Sequence, residues 1–258
     1  MTPTGLPLVA VTRYVTPLRE GGRLPGVVEG EDLGTYVCKF RGAGQGMRVL
    51  VAEVVVSELA RRLGLRTPRL VVLDLDPELA RYEADEEVQD LLNASPGPNL
   101  GIDFLPGAFG VDGQAGEVDD EGARVLWLDA FTANVDRSWR NPNLLLWHGD
   151  LWLIDHGASL YFHHGWSSGP GDPARFAAQP WDIAGHVFES AASRARELHG
   201  DIAAGLDDEV FVEVLSQVPD VWLEAVPGAE TPTDLRAAYV SFLSARLASD
   251  AWLPGGAG

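Results

Sequence analysis

The chain has 258 residues and carries 19 Lys and Arg against 38 Asp and Glu, a net charge of −19. A surface of that sign repels nucleic acid and anionic membrane, because affinity for either depends on Lys and Arg meeting phosphates, so neither is expected as a direct partner. At roughly 150 residues per domain the length allows one large domain or two lobes. A single cysteine, Cys38, excludes an internal disulfide and a multi-cysteine zinc site, and suits a reducing compartment.

From the N-terminus, Pro3 and Pro7 and the lack of a basic leader argue against a signal peptide, and no apolar run approaches the roughly 18 residues of a membrane span. A cytoplasmic location is expected. Val27-Val28 and Thr35–Phe40 (TYVCKF) read as strands on either side of a Gly30–Gly34 turn. Val49–Leu63 reads as a helix that stops at Gly64, and Leu70–Leu75 (LVVLDL) as another strand. Two loop-rich joints follow, Asn93–Asn99 and Gly107–Gly122, bracketing an apolar segment, Leu100–Leu105. Beyond them, helices are expected over Glu121–Asn134, Pro180–Glu189, Asp208–Ser216 and Asp234–Ser249. Asn143–Asp155 interrupts them with a hairpin signal, two apolar runs around His148-Gly149-Asp150. The pattern implies an α+β fold of two lobes, residues 1–106 rich in strands and residues 107–258 mainly helical with an internal hairpin.

The chemistry concentrates in Asn134–Gly157 (NVDRSWRNPNLLLWHGDLWLIDHG). Asp136 lies in a polar loop after a helix, Asn141 and Asn143 precede the hairpin, and Asp155 ends it. A turn through His148-Gly149-Asp150 sets Asn143 opposite Asp155, so that two hard oxygen ligands converge at the hairpin mouth. Mg²⁺ favours one or two carboxylates plus phosphate oxygens. A carboxylate outside the metal shell, as Asp136 is placed, suits acceptance of a hydroxyl proton. Asp, Asn and Gly are also the common turn residues; it is their joint order that points to a site. In the first lobe, Lys39 falls within an apolar strand and Glu53 shares a helix face with Val49, Val56 and Ala60. Either the two pair with each other, leaving Lys39 to hold phosphate oxygens, or each reaches water separately.

These segments carry a family resemblance. DRSWRNPNLLLW and LWLIDHG resemble the catalytic and metal-binding segments of HipA-like kinases and, more distantly, of phosphatidylinositol kinases and eukaryotic-like protein kinases. TYVCKF resembles the strand of the nucleotide-anchoring lysine, and AEVVVSELARRLGLRTP the helix of its glutamate partner. The resemblance spans about Gly30 to Gly157. It implies a two-lobed protein-kinase-like fold, ATP with Mg²⁺, and phosphoryl transfer to a hydroxyl. It assigns Lys39 to the α/β-phosphates, Glu53 to orienting Lys39, Asp136 to the catalytic base and Asp155 to metal. By the same analogy, backbone groups near Phe104 and Leu105 contact the adenine edge.

Three departures stand out. Gly30-Glu31-Asp32-Leu33-Gly34 replaces a glycine-rich G-x-G-x-x-G loop, so that the turn over the phosphates is short and acidic. Ser138 stands where the phosphatidylinositol kinase pattern has histidine. Spacing from Asp136 favours Asn141 as the second metal ligand, whereas hairpin register favours Asn143. The expected function is an ATP- and Mg-dependent kinase acting on Ser or Thr of a protein. The alternatives are a small-molecule or lipid-headgroup kinase, or a catalytically weak pseudokinase serving as a nucleotide-binding regulatory module.

Overall fold

The computed structural model describes residues 5–18, 25–44, 46–111 and 119–254, and the fold is mixed α+β. Part of the expected Gly107–Gly122 joint, residues 112–118, lies outside the described residues. Contacts divide the chain into two compact units, Met1–Leu50 with Pro68–Gly107, and Val51–Thr67 with Ala108–Gly258.

In the first unit β1 (Leu8–Pro17), β2 (Gly26–Gly30), β3 (Thr35–Lys39), β4 (Leu70–Leu75) and β5 (Gly97–Asp103) close into a barrel in the order β1-β2-β3-β5-β4. Closure comes from the parallel pairing of Leu8, Val9 and Ala10 with Val72, Leu73 and Asp74. Period-two alternation puts Tyr36 and Cys38 into the core with Val9, Val11, Val28, Val71, Leu73 and Leu75, while Thr35, Val37 and Lys39 take the other face of β3. The Cys38 thiol is fully buried, and burial raises its pKa. α1 (Met47–Arg62), which from Val51 on belongs to the second unit, ends before Gly64, whose φ of +76° suits a residue without Cβ. A short 3-10 turn and α2 (Glu86–Asn93), capped by Asp85, contribute Ala80, Val88 and Leu92 to the core.

The second unit is built on α3 (Asp120–Thr132), ten of whose residues are buried. Trp127 stacks on Phe131 and meets Trp252 edge-on, and its Nε1 donates to His199 Nδ1 at 3.1 Å. β6 (Phe109–Gly110), β7 (Leu144–Trp147) and β8 (Asp150–Leu153) form a small antiparallel sheet. α4 (Pro173–Ala177), α5 (Ala192–Ala203), α6 (Asp208–Ser216) and α7 (Pro232–Leu247) follow, α7 opened by a Thr231–Asp234 capping box. Arg246 of α7 is 1% exposed and donates to the carbonyls of Ala130, Phe176 and Gln179. Those carbonyls lie in or just past the last turns of α3 and α4, where the helix dipole is negative, and this offsets part of the cost of a buried cation. Burial still lowers the guanidinium pKa to about 10.

The structure corrects three sequence expectations and adds elements that none of them covered. Pro180–Glu189 is not a helix: Asp182 accepts from the Ala184 N–H and Gly185 adopts φ +80°, turning the chain so that His186 bridges Ser138. Asn93–Asn99 is not loop throughout, since β5 begins at Gly97 and runs between β3 and β4. β1 and α5 were not anticipated; β1 is bulged at two places, which breaks its alternation. Finally, the hairpin turns on two residues, His148 (φ +52°) and Gly149 (φ +87°), so Trp147 pairs with Asp150 rather than Leu151. A two-residue turn with both positions left-handed matches the twist of its strands. It moves Asn143 opposite Ile154, whose N–H donates to the Asn143 carbonyl at 3.1 Å, and not opposite Asp155. Among the described residues no helix is long and apolar enough to cross a membrane.

Candidate active site

The site in the second unit grows from the end of α3. Ala133 takes φ +53°, and the chain leaves the helix with the Asn134 N–H bonded to the Asp129 carbonyl at 2.8 Å. The Asn134 side chain then bonds both ways. Its Nδ2 donates to Asp129 Oδ1 at 2.9 Å and its Oδ1 accepts from the Asp136 N–H at 3.0 Å. Asp136 is half-buried, with exposed Val135 before it and exposed Trp139 three residues after it in the chain. Its Oδ2 accepts from Asn141 Nδ2 at 3.0 Å and from Asn143 Nδ2 at 3.2 Å. A carboxylate can only accept, so both amides must turn their nitrogens to Asp136 and direct their oxygens elsewhere. The structure therefore brings together Asp136 and both candidate asparagines. The amide oxygens of Asn141 and Asn143 are the kind of hard donor a divalent cation takes, and Asp155 stands one residue past Ile154, the hairpin partner of Asn143. Asn143 and Asp155 both have left-handed φ, +49° and +53°, a conformation that costs energy and persists where surrounding bonds over-determine it.

Beneath this surface lies a buried layer that the sequence did not reveal. Asp129 and Arg137 form an ion pair, Nε to Oδ2 at 2.6 Å, with both side chains fully buried. His186 Nε2 lies 3.0 Å from the same oxygen, and its Nδ1 accepts from the Phe188 N–H, which leaves the ring proton on Nε2, facing Asp129. Burial pushes the Asp129 carboxyl up, but Arg137, then His186 and His156, more than offset it and hold it well below the usual carboxylate range. Arg137 Nη1 reaches the Asn143 carbonyl at 2.5 Å, and its Nη2 lies 3.2 Å from His156 Nδ1, which must accept because a guanidinium only donates. Trp181 Nε1 closes the layer on the Asn134 carbonyl at 2.9 Å. One signal for it was available: Asp129 interrupts the apolar helix run VLWLDAF.

In the first unit, the carboxylates of the acidic turn are engaged by the barrel's own donors. Asp32 accepts from the Tyr36 hydroxyl at 2.6 Å and the Gly34 N–H at 3.1 Å, and lies 3.9 Å from Arg69. The Tyr36 hydrogen bond leads the effects that hold the Asp32 carboxyl low; burial first, and then Asp32, push the Tyr36 phenol up to about 12. Glu31 Oε1 accepts weakly from the Ala10 N–H at 3.4 Å. Gly30 and Gly34 are held by close approach: a Cβ would stand 2.5 Å from Val9 Cγ1 at the first and 2.5 Å from Tyr36 Oη at the second. Lys39 is half-buried on β3, and Glu53, in the second unit, is 1% exposed on α1. Phe104 directs its N–H to the Thr35 carbonyl at 3.0 Å, and Leu105 follows it out of β5.

A family model described as HipA-like kinase matches residues 11–253. Two solved structures are similar to 95% of the chain. One is a Golgi casein kinase with Mn/ADP bound, at 12% identity, TM-score 0.45 and 73% of that chain covered. The other is a Golgi casein kinase structure at 11% identity, TM-score 0.43 and 72% of that chain covered. No curated protein matches.

Proposed function

Because the chain belongs to the HipA-like kinase family, as the match over residues 11–253 shows, we propose that it transfers the γ-phosphoryl group of ATP to a Ser or Thr hydroxyl of a protein. The observation that carries this reading is Asp136, its Oδ2 held at 3.0 and 3.2 Å by the amides of Asn141 and Asn143. With Oδ2 so occupied, Oδ1 is the atom left to accept the acceptor's hydroxyl proton as the oxygen attacks phosphorus and ADP leaves. Asn141, Asn143 and Asp155 would hold Mg²⁺, which when bound supplies positive charge to the phosphate oxygens. Lys39, oriented by Glu53, takes the α/β-phosphates. Gly30 and Gly34 bring the turn's backbone over the nucleotide, and the Phe104–Leu105 backbone meets the adenine edge.

Two observations support the finer parts of this reading. Glu31 and Asp32 are already engaged by barrel donors, which reduces their opposition to phosphate at the turn. The exposed Val135 and Trp139, near Asp136 in the chain, suit a macromolecular acceptor rather than an enclosed small molecule. With labelled ATP, Mg²⁺ and a mixture of unphosphorylated proteins, the wild type is expected to transfer label, and Asp136→Ala and Asp155→Asn to lower the rate by roughly 10²–10⁴. Transfer that survives both changes unaltered removes the assigned site. Stabilisation by ATP with Mg²⁺ in a thermal-shift titration, without turnover, identifies the regulatory pseudokinase instead.

A further inference from the structure

We propose that Asp129 is a positioning residue, the buried carboxylate that fixes the loop bearing Asp136 and the hairpin bearing Asn143 and Asp155 in one arrangement. The inference rests on the reading of Asp136, Asn143 and Asp155 as site residues. Its basis is a branching of bonds from one side chain. Through Oδ1, Asp129 holds Asn134 Nδ2, and Asn134 Oδ1 holds the Asp136 N–H. Through Oδ2 it holds Arg137 Nε, and Arg137 Nη1 holds the Asn143 carbonyl at 2.5 Å and approaches those of Pro142 and Ile154. His186 donates to the same Oδ2, tying in the segment whose Gly185 carbonyl accepts from the Trp139 N–H. The Asn134 and Arg137 branches end on the backbone of a site residue or of its immediate neighbour. An apolar residue at 129 would fill the same space and hold neither branch, and would leave the Arg137 charge buried without its partner.

The test uses the full chain and two variants. Asp129→Asn/Arg137→Gln removes both charges, the first change at constant volume and the second with a shorter side chain, and Arg137→Lys keeps the ion pair but shortens the reach to the hairpin carbonyls. Hydrogen exchange should quicken about tenfold or more at the Asp136 and Ile154 amides in the double variant, and at Ile154 in Arg137→Lys, while α7 amides stay within about threefold. In the same variants Mn²⁺ affinity in the presence of ADP should fall about tenfold, as should kcat, with the affinity for ADP alone and the KM for ATP unchanged. Exchange, metal affinity and kcat all at wild-type values overturn the proposal. So does exchange that rises equally in α3, α5 and α7, since that is the signature of lost stability alone. Should the double variant not fold, Arg137→Lys decides by the same criteria. If the wild type neither binds Mn²⁺ with ADP nor transfers phosphate while the local exchange pattern appears, the proposed function falls and the anchoring role of Asp129 stands.

Discussion

The two units bury different kinds of residue. Among the described residues, the first unit buries only two polar side chains, Ser95 and Asn99, both neutral, around a core of Val, Leu, Tyr, Phe and Cys. The second buries Glu53, Asp129, Arg137 and Arg246, with His156, His163 and His186. An apolar core tolerates other apolar side chains of about the right volume, whereas a buried charge network accepts only the partners that satisfy it. The barrel is therefore specified by pattern, and the helical unit around Asp136 by individual atoms.

The largest expected effect tests that difference at Asp129. Asp129→Asn preserves volume yet leaves Arg137 without its charge partner, and should cost roughly 3–5 kcal/mol in chemical denaturation. A cost under about 1 kcal/mol would mean that the second unit tolerates substitution as the barrel does. A further expectation concerns pH. Because the folded carboxyl of Asp129 is held below its unfolded value, the pair's contribution is complete above about pH 4 and disappears as pH falls toward 2. The stability difference between wild type and Asp129→Asn should shrink over that window, and a difference that stays flat would deny the ion pair its role. The smallest effect belongs to the barrel: Leu73→Met, at a fully buried core position, should cost less than about 1.5 kcal/mol by thermal unfolding. A larger loss would show the barrel core to be as particular as the network beneath Asp136.

The same difference explains what could be read from the sequence. β4 and α6 were anticipated to the residue, because their order is written in local periodicity and caps: LVVLDL as a run of β-formers, and Asp207 accepting from the Val210 N–H at the start of α6. β1 escaped because its bulges interrupt the alternation, and β5 because it opens with Gly-Pro-Asn, which reads as a turn. At the site, Asp136, Asn141, Asn143 and Asp155 were legible since they fall within twenty residues in a recognisable order. Asp129 and His186 were not. They stand 57 residues apart, and neither lies in a sequence pattern that names the other. The hairpin was visible but its register was not, since His148-Gly149-Asp150 admits two turns and only the backbone angles choose between them.

That turn has a consequence for how the chain can change length. Side chains along a strand point alternately to opposite faces, so each position on β8 has a parity relative to β7, counted through His148 and Gly149. If the strands re-pair one residue out of step, the two faces exchange from Asp150 onward, which takes Leu153 out of the core and moves Asp155 by one step against Asn143. A single added residue keeps the faces only where the turn itself absorbs it, as a three-residue loop with a left-handed closing position does. Variation in this turn should therefore favour lengths that a hairpin loop can take while Trp147 still pairs with Asp150.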